Sequence, residues 1–372
     1  MKVVHVVRQF SPAVGGLEEA VLKLCMALRR AGIEVEVVTL DRVFGDAGAA
    51  LPAVAQVEGI PVRRIPYRGS TRYPLAPAVL RHIGDADLVH VHAIDFFFDF
   101  LALTRPIHRK KLIASTHGGF FHTEFAQKLK RVFFNTVTRS SALAYGAICA
   151  SSENDAATFA TIAPGRVVTI ENGVDIDKWR DGASRGWQRS MVSIGRFASN
   201  KRPELLIPLI RELRALNPEW RLTLVGRPWD IQAEQLTALA QANGVEDAVR
   251  IVVSPSDRQI LDEIAGASYV VSSSAYEGFG LSAVEGMSAG LVPLLSPIPP
   301  FAKLVRESGC GRLVAFEQPQ AEALELERWH QDAVGRAGAL RAASLSAAAG
   351  YGWHGAAMRF AEQYAKIVGT AP

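Results

Sequence analysis

The chain has 372 residues but only three cysteines, Cys25, Cys149 and Cys310, far apart and without CxxC spacing. That excludes a disulfide framework and a thiolate zinc site, and it fits a reducing cytoplasm. No apolar run approaches the roughly 20 residues that a membrane span needs. The most tempting stretch, residues 95–103, is broken by Asp95 and Asp99. The VVHVV run at 3–7 is too short for an export signal and reads as a first buried strand. Asp-rich metal signatures are missing: DAD (85–87) precedes a strand, and the carboxylates of DFFFD (95–99) lie in an apolar run. There is no low-complexity linker and no short-period repeat.

What is present is apolar sequence, 49% of the chain, which at this length calls for two domains. Apolar runs at 3–7, 35–40, 60–67, 87–92, 111–117, 147–151 and 167–173 alternate with helical patterns, notably 17–31 and 121–144. The pattern restarts with strands at 190–196, 221–227, 249–254, 268–274 and 292–296, and helices at 203–217 and 231–243. Continuous apolar strands alternating with helices predict parallel sheets covered on both faces. The reading is an α/β chain of two doubly wound, Rossmann-like domains, 1–172 and 173–354, facing across a cleft. Charge is uneven: residues 1–172 carry 20 Lys and Arg against 15 Asp and Glu, and residues 173–372 carry 21 against 22. The basic half suits an anionic lipid surface or a phosphorylated acceptor, although random surface variation would look the same.

Three motifs carry chemistry. EGFGLSAVE (277–285) follows a strand and opens a helix. Gly278 and Gly280 permit close backbone approach, and the first amides of the helix, near Phe279, Leu281 and Ser282, face outward at its positive end. That is an anion site for a phosphate. Glu277 and Glu285 can accept hydrogen bonds from vicinal hydroxyls of a sugar and a ribose. The second motif is GRFASNK, where Arg196 and Lys201 share one strand-to-helix loop. Two cations there suit a diphosphate and can stabilise it as a leaving group without a metal. The third is His117-Gly118-Gly119 after a strand, matched by Gly15-Gly16 after the first strand. His117 can touch a donor sugar or its diphosphate, or join a proton relay. His90 and His92 share one face of a strand and read as packed residues, with His92 nearest the edge.

Segment 120–139 sets Lys128, Lys130, Arg131 and Arg139 among phenylalanines. It reads as an amphipathic helix whose cations suit an anionic membrane surface. Nothing else in the chain supports nucleic-acid binding.

These motifs, in this order, resemble the retaining GT-B glycosyltransferases of family 4 type. VVRQFSP, STHGGFFHT, SENDAATF, IENGVD, EGFGLSAVEGMSAG and SPIPPF resemble most closely the α-mannosyltransferases of xanthan- and acetan-type exopolysaccharide assembly. The resemblance implies GDP-mannose as donor and a polyprenyl-diphosphate-linked cellobiose as acceptor. It implies an α-1,3 product with retention and no metal or other cofactor. It implies a protein on the inner face of the cell membrane. Arg196 and Lys201 would hold the diphosphate, Glu277 the sugar and Glu285 the ribose. His117 matches the family's site histidine, and a terminal helix at about 355–372 would return to the first domain. Two other classes stay open on the residues alone: a nucleotide-sugar epimerase, which needs no acceptor, and a non-catalytic nucleotide-sugar binder.

Overall fold

Strands buried on both faces need no polar alternation, so the short apolar runs become parallel strands. The computed structural model describes residues 1–45, 50–71, 73–117, 131–277 and 280–369. The chain divides into two units, residues 1–173 with 353–372, and residues 174–352.

The first unit runs β1 (Lys2–Val6), α1 (Gly16–Arg30), β2 (Glu34–Leu40), β3 (Val54–Val57), β4 (Ile60–Ile65), β5 (Leu88–His92), α2 (Phe96–Leu103) and α3 (Arg105–His108). It continues with β6 (Lys111–Ser115), α4 (Arg139–Ala142), β7 (Ala147–Ala150), α5 (Glu153–Ala160) and β8 (Val167–Thr169). The sheet order is β3-β4-β2-β1-β5-β6-β7-β8, and only β3 is antiparallel. The sequence reading passed over β3, because VAQV is a half-exposed edge strand without a strong apolar run. Glu58 and Gly59, both at positive φ, turn it into β4. Of the amphipathic stretch at 121–144, residues 131–142 are helical, with a π-helical turn over Phe134–Thr138. Gly118, Gly119 and residues 120–130 lie outside the described residues.

The DFFFD run is the start of α2. Asp95 caps it by accepting from the Phe97 amide at 2.9 Å, and burial raises its carboxyl to about 7. Asp99 accepts from Tyr73 Oη at 2.9 Å and from Ser141 Oγ at 2.7 Å. The two carboxylates thus end up buried and bonded within an apolar core, where each would otherwise be costly.

The second unit runs β9 (Ser190–Ile194), α6 (Leu206–Leu216), β10 (Arg221–Gly226), α7 (Ala233–Ala242), β11 (Val249–Val253), α8 (Asp257–Ile264), β12 (Tyr269–Ser272) and α9 (Leu281–Ser288). It ends with β13 (Val292–Leu295), α10 (Pro299–Ser308), β14 (Arg312–Leu313), α11 (Pro319–Ala333) and α12 (Ala337–Gly350). All six strands are parallel, in the order β11-β10-β9-β12-β13-β14. Apolar residues of α6 and α11 cover one face and those of α9 and α12 the other.

The last helix, α13 (Trp353–Val368), belongs to the first unit. Ala357, Phe360 and Tyr364 are buried with residues of β1, β2 and β5. Each such aromatic contributes about 1.5–3 kcal/mol by burial. Gly173 is required at the crossover, because a Cβ there would lie 2.5 Å from Trp353 Cα.

Candidate active site

The second unit joins two loops that are far apart in sequence. One follows β9 and the other follows β12, and both leave the carboxyl ends of their strands, where open parallel sheets bind ligands. Ala275 donates its amide to Asn200 O at 2.9 Å. Arg202 Nε donates to Ser273 O at 2.9 Å, and Ser273 Oγ returns a bond to Arg202 O at 2.7 Å. This lacing brings Lys201 Nζ onto Glu277 Oε1 in a half-buried ion pair. Ser274 Oγ donates to the same oxygen at 2.8 Å. Glu277 Oε2 makes no hydrogen bond among the described residues, so it stays available to a hydroxyl. An ammonium has three protons, so Lys201 can keep Glu277 and still reach a phosphate oxygen.

Gly280 caps α9 in the left-handed region, with φ 89°. A Cβ there would sit 2.5 Å from Phe301 Cε1, so both dihedral and space require glycine. The amides of Ala283 and Val284 bond to Gly280 O. Those of Leu281 and Ser282 have no partner among the described residues, and they form an anion-binding helix tip. Glu285 is half-buried one turn into α9, nearer the tip than the sequence spacing suggested, because the helix starts at Leu281. Gly278 and Phe279 lie outside the described residues.

Arg196 shares the loop with Lys201 but is not brought to Glu277. Its guanidinium lies 4.7 Å from the centre of the Trp229 ring, a cation–π contact that holds the head at the surface. The loop is tight behind it: a Cβ on Gly226 would meet Gly195 O at 1.7 Å. Sequence reasoning missed Trp229 and Ser274, which have no motif of their own and act only through folding.

In the first unit, Gly15 is the N-cap of α1 and Gly16 its first residue. A side chain on Gly15 would collide with the Glu18 carboxylate, which therefore lies over this helix tip. The negative charge already at that end answers the helix dipole internally.

His117 lies two residues after β6 at a positive φ of 52°. Its Nε2 lies 2.8 Å from His92 Nδ1, and His92 Nε2 lies 2.9 Å from His5 Nδ1. His90 is bonded on both sides, to Tyr364 Oη at 2.7 Å and Ser115 Oγ at 2.8 Å. Burial lowers all four imidazoles, His5 to about 3 and His117 to about 4, so the rings are neutral near pH 7. The sequence placed His90 and His92 on one packed face. It did not find His5, although VVHVV puts a polar residue in a buried strand. Nitrogens of His5, His90 and His92 come within 4.8 Å of one another, a grouping that can hold a metal ion.

Family models match both units: "Glycosyltransferase Family 4" over residues 14–178 and "Glycosyl transferases group 1" over residues 176–344. A Komagataeibacter xylinus protein named GDP-mannose:cellobiosyl-diphosphopolyprenol alpha-mannosyltransferase is 49% identical over 100% of this chain and 94% of its own length. A Xanthomonas campestris protein of the same name is 44% identical over 100% of this chain and 98% of its own. Among solved structures, a glycosyltransferase from Rickettsia africae matches with TM-score 0.71 at 16% identity, covering 100% of this chain and 99% of that one. Anabaena HepE in complex with UDP and glucose matches with TM-score 0.63 at 18% identity, covering 98% and 100%. These likenesses show the fold, two Rossmann-like parallel-sheet units of GT-B type.

Proposed function

Because this chain belongs to the glycosyltransferase family of the GDP-mannose:cellobiosyl-diphosphopolyprenol alpha-mannosyltransferases, we propose that it transfers mannose from GDP-mannose to a polyprenyl-diphosphate-linked cellobiose. The observation that carries this reading is the Lys201–Glu277 pair, together with the open amides of Leu281 and Ser282 four and five residues further along the chain from Glu277. The amides and Lys201 grip the donor diphosphate, and Arg196 adds a second cation. Glu277 accepts from mannose hydroxyls and Glu285 from the ribose; the sequence motif assigns Gly278 and Phe279, outside the described residues, to donor binding as well. His117 offers a ring nitrogen to a substrate oxygen.

As the glycosidic bond to the diphosphate breaks, negative charge grows on the leaving oxygen, where Lys201 and the helix tip stabilise it. Fixed cations and amides then do what a metal does elsewhere, so the reaction needs none. The acceptor hydroxyl oxygen bonds to the anomeric carbon on the face the diphosphate leaves, and its proton passes to the departing phosphate oxygen, which retains the donor's α configuration; the 1,3 position follows from the family resemblance. The first unit reads the acceptor, and the product feeds exopolysaccharide assembly.

The protein works at the inner face of the cell membrane. Among the described residues, no helix is long and apolar enough to cross a membrane. Leu103, Ile107 and Val132 are 80%, 76% and 60% exposed, and Arg105, Arg109 and Arg131 are exposed neighbours in sequence. Apolar side chains beside cations suit the headgroup region of anionic lipid. Leu103 and Val137 line a cavity of about 600 Å³ with Phe96 and Phe100, room for part of an apolar acceptor chain.

The test incubates purified protein with lipid-linked cellobiose and GDP-mannose, with and without EDTA, and follows GDP release and the product's anomeric configuration. A mannosylated α-product formed equally in EDTA is expected. Release from UDP- or ADP-sugars but not from GDP-mannose overturns the donor assignment. Epimerised nucleotide sugar in the absence of acceptor overturns the reaction class.

A further inference from the structure

The chain His5–His92–His117 crosses the first unit from its core to the carboxyl edge of β6, ring to ring, at 2.9 and 2.8 Å. A neutral imidazole has one N–H and one bare nitrogen. Both nitrogens of His92 are engaged, so whichever one donates, the other accepts. The three rings must therefore point the same way, and only two arrangements exist. In one, every ring donates toward His117, whose Nδ1 ends the chain as N–H. In the other, every ring donates toward His5, whose Nε2 ends it as N–H.

Two observations separate them. His5 is fully buried, and its Nε2 has no partner among the described residues. Orphaned buried N–H groups are rare in proteins, so a bare nitrogen is the better occupant of that end. At the other end, the Asp155 carboxylate favours protons on His117. It is held near β6 by Thr116 Oγ1 at 2.7 Å. Its field draws the positive end of the chain toward His117. His117 Nδ1 makes no hydrogen bond among the described residues, so that end is free to meet a ligand.

We propose that His5 and His92 are positioning residues that fix His117 as the Nδ1–H tautomer, so that His117 serves the substrate as a hydrogen-bond donor and not as a base. The functional half of this statement rests on the transferase reading above, while the tautomer itself does not. The acceptor for that N–H is an oxygen of the bound substrate. The same hydrogen bonds argue against a metal at His5, His90 and His92. Both nitrogens of His90 and both of His92 are already engaged in hydrogen bonds with protein groups.

The experiment records long-range 1H–15N correlation spectra of the full chain labelled with [15N]histidine, with His117 assigned through His117→Gln. The expected wild-type spectrum, without ligand, shows His117 protonated at Nδ1. His117 protonated at Nε2 overturns the proposal, whether or not the protein proves to be a mannosyltransferase. In His92→Phe the ring loses its partner and should revert to Nε2–H, whereas His92→Gln can still donate an amide proton and should keep Nδ1–H. Kinetics follow the same logic. His92→Phe should lower kcat/KM for mannosyl transfer roughly tenfold, the worth of one hydrogen bond. His92→Gln should recover most of it, and in a His117→Phe background the His92→Phe change should add nothing. An equal loss from His92→Phe with and without His117 overturns the positioning role. Should His92→Phe fail to fold, the wild-type spectrum alone decides. Zinc added to the wild type should leave the His5, His90 and His92 signals unmoved, and their displacement would overturn the assignment in favour of a metal site.

Discussion

Lys201 and Glu277 stand 76 residues apart in sequence and form one ion pair, which Ser274 completes from the Glu277 side. The lysine sits on the β9–α6 loop and the glutamate on the β12–α9 loop, so the pair exists only when β9 and β12 lie side by side. Its geometry fixes the ammonium without using all its protons.

Replacing Lys201 with alanine should therefore lower kcat by 10²–10³, about 2.7–4 kcal/mol, as loss of one preorganised donor to a developing oxyanion does. GDP release under saturating GDP-mannose measures it. Unchanged turnover would remove leaving-group stabilisation by this residue from the mechanism.

Gly280→Ala should destabilise the second unit by about 1–3 kcal/mol through its left-handed dihedral alone. The 2.5 Å approach to Phe301 Cε1 adds to this. Because the distortion falls at the tip of α9, thermal stabilisation by GDP should shrink as well. Urea unfolding and a melting series with GDP read the two effects. Full stability with full GDP response would show that the tip tolerates a side chain.

Trp229→Ala frees the Arg196 head. An exposed cation–π contact is worth about 0.5–1 kcal/mol, so KM for GDP-mannose should rise two- to five-fold with little change in kcat. An unchanged KM would place Arg196 outside the donor grip.

Acid should unfold the first unit early. His5 and His117 titrate at about 3 and about 4 in the fold, against an ordinary 6.5. Depressed folded values mean that the unfolded chain binds more protons below pH 6.5. Stability from these rings is thus complete above that pH and is lost as the pH falls through it toward the folded values. At pH 5 the loss is about 2 kcal/mol for each such ring. Denaturant midpoints at pH 5 and pH 8 give the slope, and His5→Asn should flatten it. A midpoint equal at both values would mean that the rings are not buried neutral.

Neutralising Lys128, Lys130 and Arg131 should weaken binding to anionic vesicles, by about 1 kcal/mol per charge near the surface, and the difference should vanish at high salt. Lys128 and Lys130 lie outside the described residues, so vesicle co-sedimentation is the direct measure. Equal binding by the neutralised chain would leave this segment as scaffold.

Local pattern alone was enough to read the two alternating β/α arrays, the glycine-opened helix at 281 and the loop bearing Arg196 and Lys201. Their causes lie within a few residues of each other: apolar runs, caps, and glycines where only glycine fits. The packing of His90 and His92 on one face follows in the same way from the period of two along a strand. Tertiary structure alone decided the pairing of Lys201 with Glu277. It also stacked Arg196 on Trp229 and joined His5 to His117. Each of these depends on which strands become neighbours, and strand order is set by the burial of whole sheet faces, a sum over the entire chain that no local segment of sequence contains.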